Sequence, residues 1–196
     1  MVLLKRVAAG VLCLTMAPAA WAEKLSLSEI SAYLNGLKTV QAPFRQTNDD
    51  GSIGDGKVII KRPGRMRFEY ADPNAALIVA SANAVYIVDP KSNQVPETYP
   101  LRRTPLSLIL ARKVDLAQAN MVTGHSYDGQ ATIVTAQDPK NPEYGTIQMM
   151  FTDNPVRLRQ WVINDSGGGQ TKVVLGDLTE GGNPPNRLFK PPKRGN

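Results

Sequence analysis

The stretch Lys61-Arg62-Pro63-Gly64-Arg65-Met66-Arg67-Phe68-Glu69-Tyr70 limits the fold more than any other. Pro63 has no backbone donor and Gly64 turns freely, so one strand ends here and another begins. After the turn, Met66, Phe68 and Tyr70 alternate with Arg65, Arg67 and Glu69, the period of a strand with one apolar and one charged face. Before it, Val58 and Ile60 share the parity of Arg62. Without a bulge the guanidinium therefore projects to an apolar side, where it either snorkels to water or holds something.

Short strands bounded by turn signals continue on both sides. Residues 40–48 and 52–62 flank Asp49-Asp50-Gly51, a hairpin signal, and 64–70 ends at Asp72-Pro73. Residues 77–79 and 85–88 flank Ala82-Asn83, and 94–99 follow Asp89-Pro90. A second run comprises 120–127, 131–137, 145–152, 156–163 and 170–178, with turns rich in Asp, Asn, Gly and Pro between them. Ahead of the first run, Ser26-Leu27-Ser28-Glu29 is a capping box, and Leu27, Ile30, Leu34 and Leu37 follow at helical spacing. Between the runs, Thr104 as N-cap, Pro105 at the first helical position and Leu106, Ile109 and Leu110 predict a short helix that Leu108 makes apolar over most of its circumference. Val114 to Ala119 is expected to add another turn or two. The chain closes on a short segment, Asn186 to Pro192. The reading is mainly β with few helices, a single antiparallel sheet of ten or eleven strands that must curl. Its concave face is filled by side chains, helices or a ligand.

Met1 to Ala22 has the form of a secretory signal: Lys5 and Arg6, an apolar core from Val7 to Ala17, and Ala20-Trp21-Ala22 for cleavage. The apolar run is shorter than the roughly 20 residues a bilayer span needs. Cys13 sits inside it and lacks the upstream leucine of a lipid-anchoring site, so residues 23–196 are expected to be one exported domain free of cysteine, held together by its core. From residue 23 onward 21 basic residues stand against 17 acidic. That mild excess is scattered along the sequence and suits a charged surface better than a nucleic-acid site, with weak attraction to anionic lipid or an acidic partner as a second use.

Little in the chain suggests catalysis. His125 is the single histidine, which removes Cys/His chemistry and a His/Cys metal cluster. Gly124 to Gly129 brings Ser126, His125 and Asp128 together only locally, with no G-x-S-x-G elbow. Gly51-Ser52-Ile53-Gly54-Asp55-Gly56 matches neither phosphate-binding pattern and reads as a turn; Asp49, Asp50 and Asp55 lack EF-hand spacing. No enzyme, cofactor or metal is expected. Binding is the better reading, because a helix as apolar as Leu106 to Leu110 must lie on the sheet's apolar face, and an incomplete or reversible contact leaves a pocket for something greasy. Candidates to line it are Phe44, Val58, Ile60, Met66, Phe68, Tyr70, Tyr86, Met149, Phe151 and Trp161.

Several segments, in order, resemble the periplasmic outer-membrane lipoprotein carrier family (LolA type). They are Phe44-Arg45-Gln46, Lys61 to Tyr70, Val85-Tyr86-Ile87-Val88-Asp89, Arg103-Thr104-Pro105-Leu106, Gly145-Thr146-Ile147 and Leu188-Phe189-Lys190-Pro191-Pro192. The resemblance implies an incomplete, half-open antiparallel β-barrel of about 11 strands, covered by a helical lid over a hydrophobic cavity. It also implies a periplasmic carrier of acylated lipoproteins. Such a carrier takes them from an inner-membrane ABC transporter and hands them to an outer-membrane receptor. By this resemblance Arg62 matches the arginine that bonds lid backbone and keeps the empty cavity closed, and the lid is the helix carrying Leu106, Ile109 and Leu110. A monomer is expected. The sequence stops at Asn196, soon after Pro191-Pro192, so the resemblance does not carry over a C-terminal transporter contact of longer relatives. The rival readings are a periplasmic lipid- or lipoprotein-binding sensor domain on the same scaffold, which would usually bring a second domain, and the lipid-anchored receptor, which would need an anchoring cysteine. A carrier of another amphiphile is the third.

Overall fold

The capping box starts the first helix, α1 (Leu27–Gly36), as predicted. Ser26 Oγ accepts from the Glu29 amide at 3.2 Å, and the Glu29 carboxylate accepts from the Ser26 amide at 2.8 Å. Two donors that a helix start leaves free are thereby satisfied. Ser26→Ala should lower stability by about 1 kcal/mol, read as a shift in the urea midpoint. An unchanged midpoint would mean that Ile30 and Leu34, both buried, hold the helix start without the cap.

The coordinates are a computed structural model that describes residues 23–191 apart from 90, 93, 118 and 119. The predicted signal, residues 1–22, and the tail, residues 192–196, lie outside the described residues. Six strands form the first run: β1 (Thr39–Asn48), β2 (Ile53–Lys61), β3 (Arg65–Tyr70), β4 (Leu77–Ser81), β5 (Ala84–Val88) and β6 (Glu97–Pro100). A 3₁₀ turn (Leu101–Arg103) and the second helix, α2 (Leu106–Leu110), follow. The second run is β7 (Val122–Tyr127), β8 (Thr132–Gln137), β9 (Thr146–Thr152), β10 (Arg157–Asn164), β11 (Gln170–Leu175) and the two-residue β12 (Thr179–Glu180). All belong to one antiparallel sheet of twelve strands in the order β6-β5-β4-β3-β2-β1-β11-β10-β9-β8-β7, with β12 also on β1. The edges β6 and β7 do not pair, so the sheet is open rather than a closed barrel. The link between those edges is the segment that carries α2.

The predicted turns position the strands. Ala82 and Asn83 both have positive φ, 48° and 62°, the geometry of a two-residue hairpin turn, which fixes the register Ala80↔Val85 and Ile78↔Ile87. One face of the sheet then carries Val40, Ala42, Phe44, Val58, Ile60, Met66, Phe68, Met149, Phe151 and Trp161, which join Ile30 and Leu34 of α1 and Ile109 and Leu110 of α2 in one core. The opposite face carries ion pairs such as Arg45–Asp55 and Arg67–Glu69. It also carries the C-terminal segment, which Lys61 Nζ ties to Asn183 Oδ1 and the Pro184 carbonyl and Arg67 ties to the Leu188 carbonyl, with Phe189 buried.

Four local expectations are corrected. The run Gly51 to Gly56 is a turn only as far as Ser52; Gly54 and Gly56 lie inside β2. Val114 to Leu116 adds no helix, because α1 takes its backbone groups. Asn35 bonds both the N–H and the C=O of Val114, at 2.9 and 2.7 Å, and Ser31 Oγ accepts from the Leu116 N–H at 3.0 Å. Gln118 and Ala119 lie outside the described residues. Thr104 is not the N-cap: its hydroxyl donates to the Leu101 carbonyl at 2.8 Å, which closes the preceding turn, and Pro105 precedes the helix with no side-chain cap. The strand expected over 94–99 begins at Glu97.

Candidate functional site

The aromatic residues of β1, β3 and β10 meet on the concave face. Phe44 lies edge-on to Phe68 and Tyr70, with centroids 4.9 and 5.0 Å apart, and Phe68 is edge-on to Trp161 at 6.2 Å. Offset or edge contacts of this kind add about 0.5–1.5 kcal/mol per pair beyond their area. Gly56 is in register with both Phe44 and Tyr70. A Cβ there would run into the Glu69 carbonyl oxygen and come within 2.8 Å of the Phe44 ring, and one at Gly54 would come within 2.9 Å of the Tyr70 ring. The glycines in β2 are therefore the seats of these rings. The Tyr70 hydroxyl donates to Gln46 Oε1 at 2.6 Å. Burial pushes its pKa up to about 12, which that hydrogen bond partly offsets, so it stays a donor.

Over this floor is a cavity of about 500 Å³, within the usual range of ligand sites of about 300–1,000 Å³. Phe68, Tyr70, Ile78, Val85, Ile87, Trp161, Ile163 and Val173 form its apolar walls, and Pro105 and Leu106 close it from above. Its mouth is polar: Gln46, Arg103, Tyr144, Asp165, Ser166 and Thr171 lie around it. Arg103 sits 6.0 Å from the centre of the Tyr144 ring, a cation–π contact from the lid side to the β8–β9 connection.

The end of the lid is tied to the β2–β3 turn. Arg62 Nη2 donates to the Ala111 carbonyl at 2.6 Å, and the Gly64 N–H donates to the Leu110 carbonyl at 2.9 Å. These are carbonyls that the end of α2 leaves without helical partners. Gly64 reaches its position with φ at 70°, open to glycine at no steric cost. Of the two roles open to Arg62, snorkelling or holding, the geometry is that of holding. The side chain is half-buried, burial draws its pKa below the ordinary arginine value, and its Nε is buried with no partner among the described residues. The guanidinium nevertheless remains charged.

Of the residues that the sequence offered as cavity lining, Phe68, Tyr70 and Trp161 line it. Phe44 lies beneath them, and Val58, Ile60, Met66, Met149 and Phe151 are core residues with α1 and α2. Tyr86 is corrected: Val85 and Ile87 face the cavity, so the strand period turns Tyr86 to the other face, where it pairs with Val79. The lid residues divide as well, with Leu106 over the cavity and Ile109 and Leu110 buried in the core. The sequence reading missed Ile78, Val85, Ile87, Ile163 and Val173. The two-residue turn at Ala82-Asn83 was the available signal for the first three, since it aligns Ile87 with Ile78 and Val85 with Ala80, and Ile78 in turn pairs with Phe68 across β3 and β4.

Comparison with known proteins agrees with this geometry. A family model described as outer membrane lipoprotein carrier protein LolA matches residues 35–192. An outer-membrane lipoprotein carrier protein of Chromobacterium violaceum is 29% identical over 184 residues, covering 89% of this chain and 88% of that protein. One of Chromohalobacter salexigens is 25% identical over 163 residues, covering 78% of this chain and 76% of its own. Among solved structures, a Vibrio parahaemolyticus domain described as outer membrane lipoprotein-sorting superposes with a TM-score of 0.50 at 10% identity. It covers 83% of this chain and 94% of its own, and its likeness is one of fold.

Proposed function

The chain belongs to the outer membrane lipoprotein carrier protein LolA family, a family of carriers rather than enzymes, and from that premise we propose that it is a periplasmic chaperone for acylated lipoproteins. Acyl chains occupy the cavity under α2. The chain takes them from an inner-membrane ABC transporter, shields them across the periplasm and delivers them to a receptor at the outer membrane, after export and removal of residues 1–22. Arg62 is the latch of the empty lid.

The observation that carries this reading is the pairing of an apolar, aromatic-floored cavity with a lid end tied by the Arg62 and Gly64 hydrogen bonds. Each methylene of an acyl chain gains about 0.8 kcal/mol on leaving water, so several chains cross an aqueous compartment only under cover. Release requires that closing the empty cavity be worth little by comparison. A charge-assisted hydrogen bond, at about 1.5–3 kcal/mol, has the right scale. Direction of transfer then comes from the partners. The test is mass spectrometry on the protein purified from periplasm and incubated with lipoprotein-loaded spheroplasts. Co-purifying acylated protein is expected; finding neither acylated protein nor lipid would sink the carrier reading.

A further inference from the structure

The basic residues, scattered as they are along the sequence, include one local group on the lid. Residues 101–113 supply Arg102, Arg103, Arg112 and Lys113 with no carboxylate; another acid-free basic stretch, residues 181–196, also holds four cations. Arg102, Arg112 and Lys113 are exposed, and among the described residues none of them forms an ion pair or a side-chain hydrogen bond. Elsewhere Arg45, Arg67, Arg157 and Arg159 meet carboxylates.

These cations have a shaped place to act. Arg102 and Arg112 line the same cleft, of about 660 Å³, together with Asn83, Ser107, Gly64, Leu110 and Ala111. Two guanidinium forks, an amide and a hydroxyl are the groups that bind phosphate oxygens. The cleft runs along the seam where Gly64 bonds Leu110 and Arg62 bonds Ala111.

We propose that the basic rim of the lid docks on an anionic phospholipid surface, with headgroup phosphodiesters seated between Arg102 and Arg112. Charge complementarity selects this occupant, since four cations flank an apolar five-residue helix with no acid among them. A bilayer surface offers many phosphates at once, and each basic residue near it contributes roughly fivefold to affinity. Docking there places the seam of the lid against the lipid. The consequence, that loading or unloading happens with the lid held at a bilayer, rests on the carrier reading above; the docking itself does not.

The test is co-sedimentation of the purified protein with phosphatidylcholine vesicles and with vesicles one-third phosphatidylglycerol. Binding is expected only to the second and should weaken with salt. Arg102→Gln/Arg112→Gln/Lys113→Gln should weaken it roughly hundredfold, while Arg102→Lys/Arg112→Lys should largely retain it. Far-UV CD and bis-ANS binding of the triple variant should match the wild type, because none of the three residues lines the acyl cavity. The proposal is overturned if the wild type ignores phosphatidylglycerol vesicles, if the triple variant binds them as tightly, or if salt has no effect. It is equally overturned if soluble glycerol phosphate or polyglutamate binds the cleft at least as tightly as the vesicles, which would assign it to free phosphate or to an acidic protein. Vesicle binding without acylated cargo in the mass spectra would remove the carrier reading and leave the docking surface standing.

Discussion

Arg62→Leu is expected to raise bis-ANS binding to the empty protein roughly ten- to hundredfold while leaving the far-UV CD spectrum unchanged. The donor to the Ala111 carbonyl is lost, and a hydrogen bond from a charged group is worth about 1.5–3 kcal/mol, so the open-lid population should grow by that factor. The Gly64 bond to Leu110 and the packing of Ile109 and Leu110 remain. Global stability should change by less, about 1 kcal/mol or under, because the substitution also removes a half-buried charge whose Nε has no partner among the described residues. A leucine variant with wild-type dye binding would show that Arg62 does not latch the lid.

The partner of Arg62 was only half legible in the chain. Its parity with Val58 and Ile60, and the Pro-Gly turn after it, place the side chain on the apolar face from local pattern alone. The partner lies 49 positions away, on Ala111. No period or turn signal spans that distance; the family resemblance supplied the lid as partner, and the fold supplies the atom.

Trp161→Ala should cost about 3–5 kcal/mol, a large share of the roughly 5–15 kcal/mol that stabilises a domain. Trp161 is 1% exposed, stands across from Met149 and Val173 on the neighbouring strands and meets Phe68 edge-on. Little around it can collapse, since the cavity under α2 lies on one side. A urea or guanidinium midpoint reads the loss, and a change below about 1 kcal/mol would mean that the wall of the cavity relaxes into the gap.

Trp161 also shows how a strand reading goes astray. Strict alternation would set Leu158 and Trp161 on opposite faces, yet both are buried in the one core. The register of β9 and β10 shifts between Leu158 and Gln160, and an extra residue brings both side chains inward. The Leu158 amide donates instead to the Tyr33 hydroxyl of α1, at 3.1 Å. The helix and the bulge fit each other, which no local pattern records.

Taken alone, the amino-acid order determined what depends on neighbours a few positions apart: strand periods, the Ala82-Asn83 and Pro63-Gly64 turns, the capped first helix and an apolar helix interrupting a β chain. Tertiary structure decided what depends on register and packing between distant segments. The link from β6 to β7 became the lid because those strands are the two unpaired edges of one open sheet. Gly54 and Gly56 stay in β2 because aromatic rings occupy the space beside them, and Val114 and Leu116 stay out of a helix because Asn35 and Ser31 bind their backbone. Backbone groups go to whichever partner the fold brings near, and that choice is made across the sheet rather than along the chain.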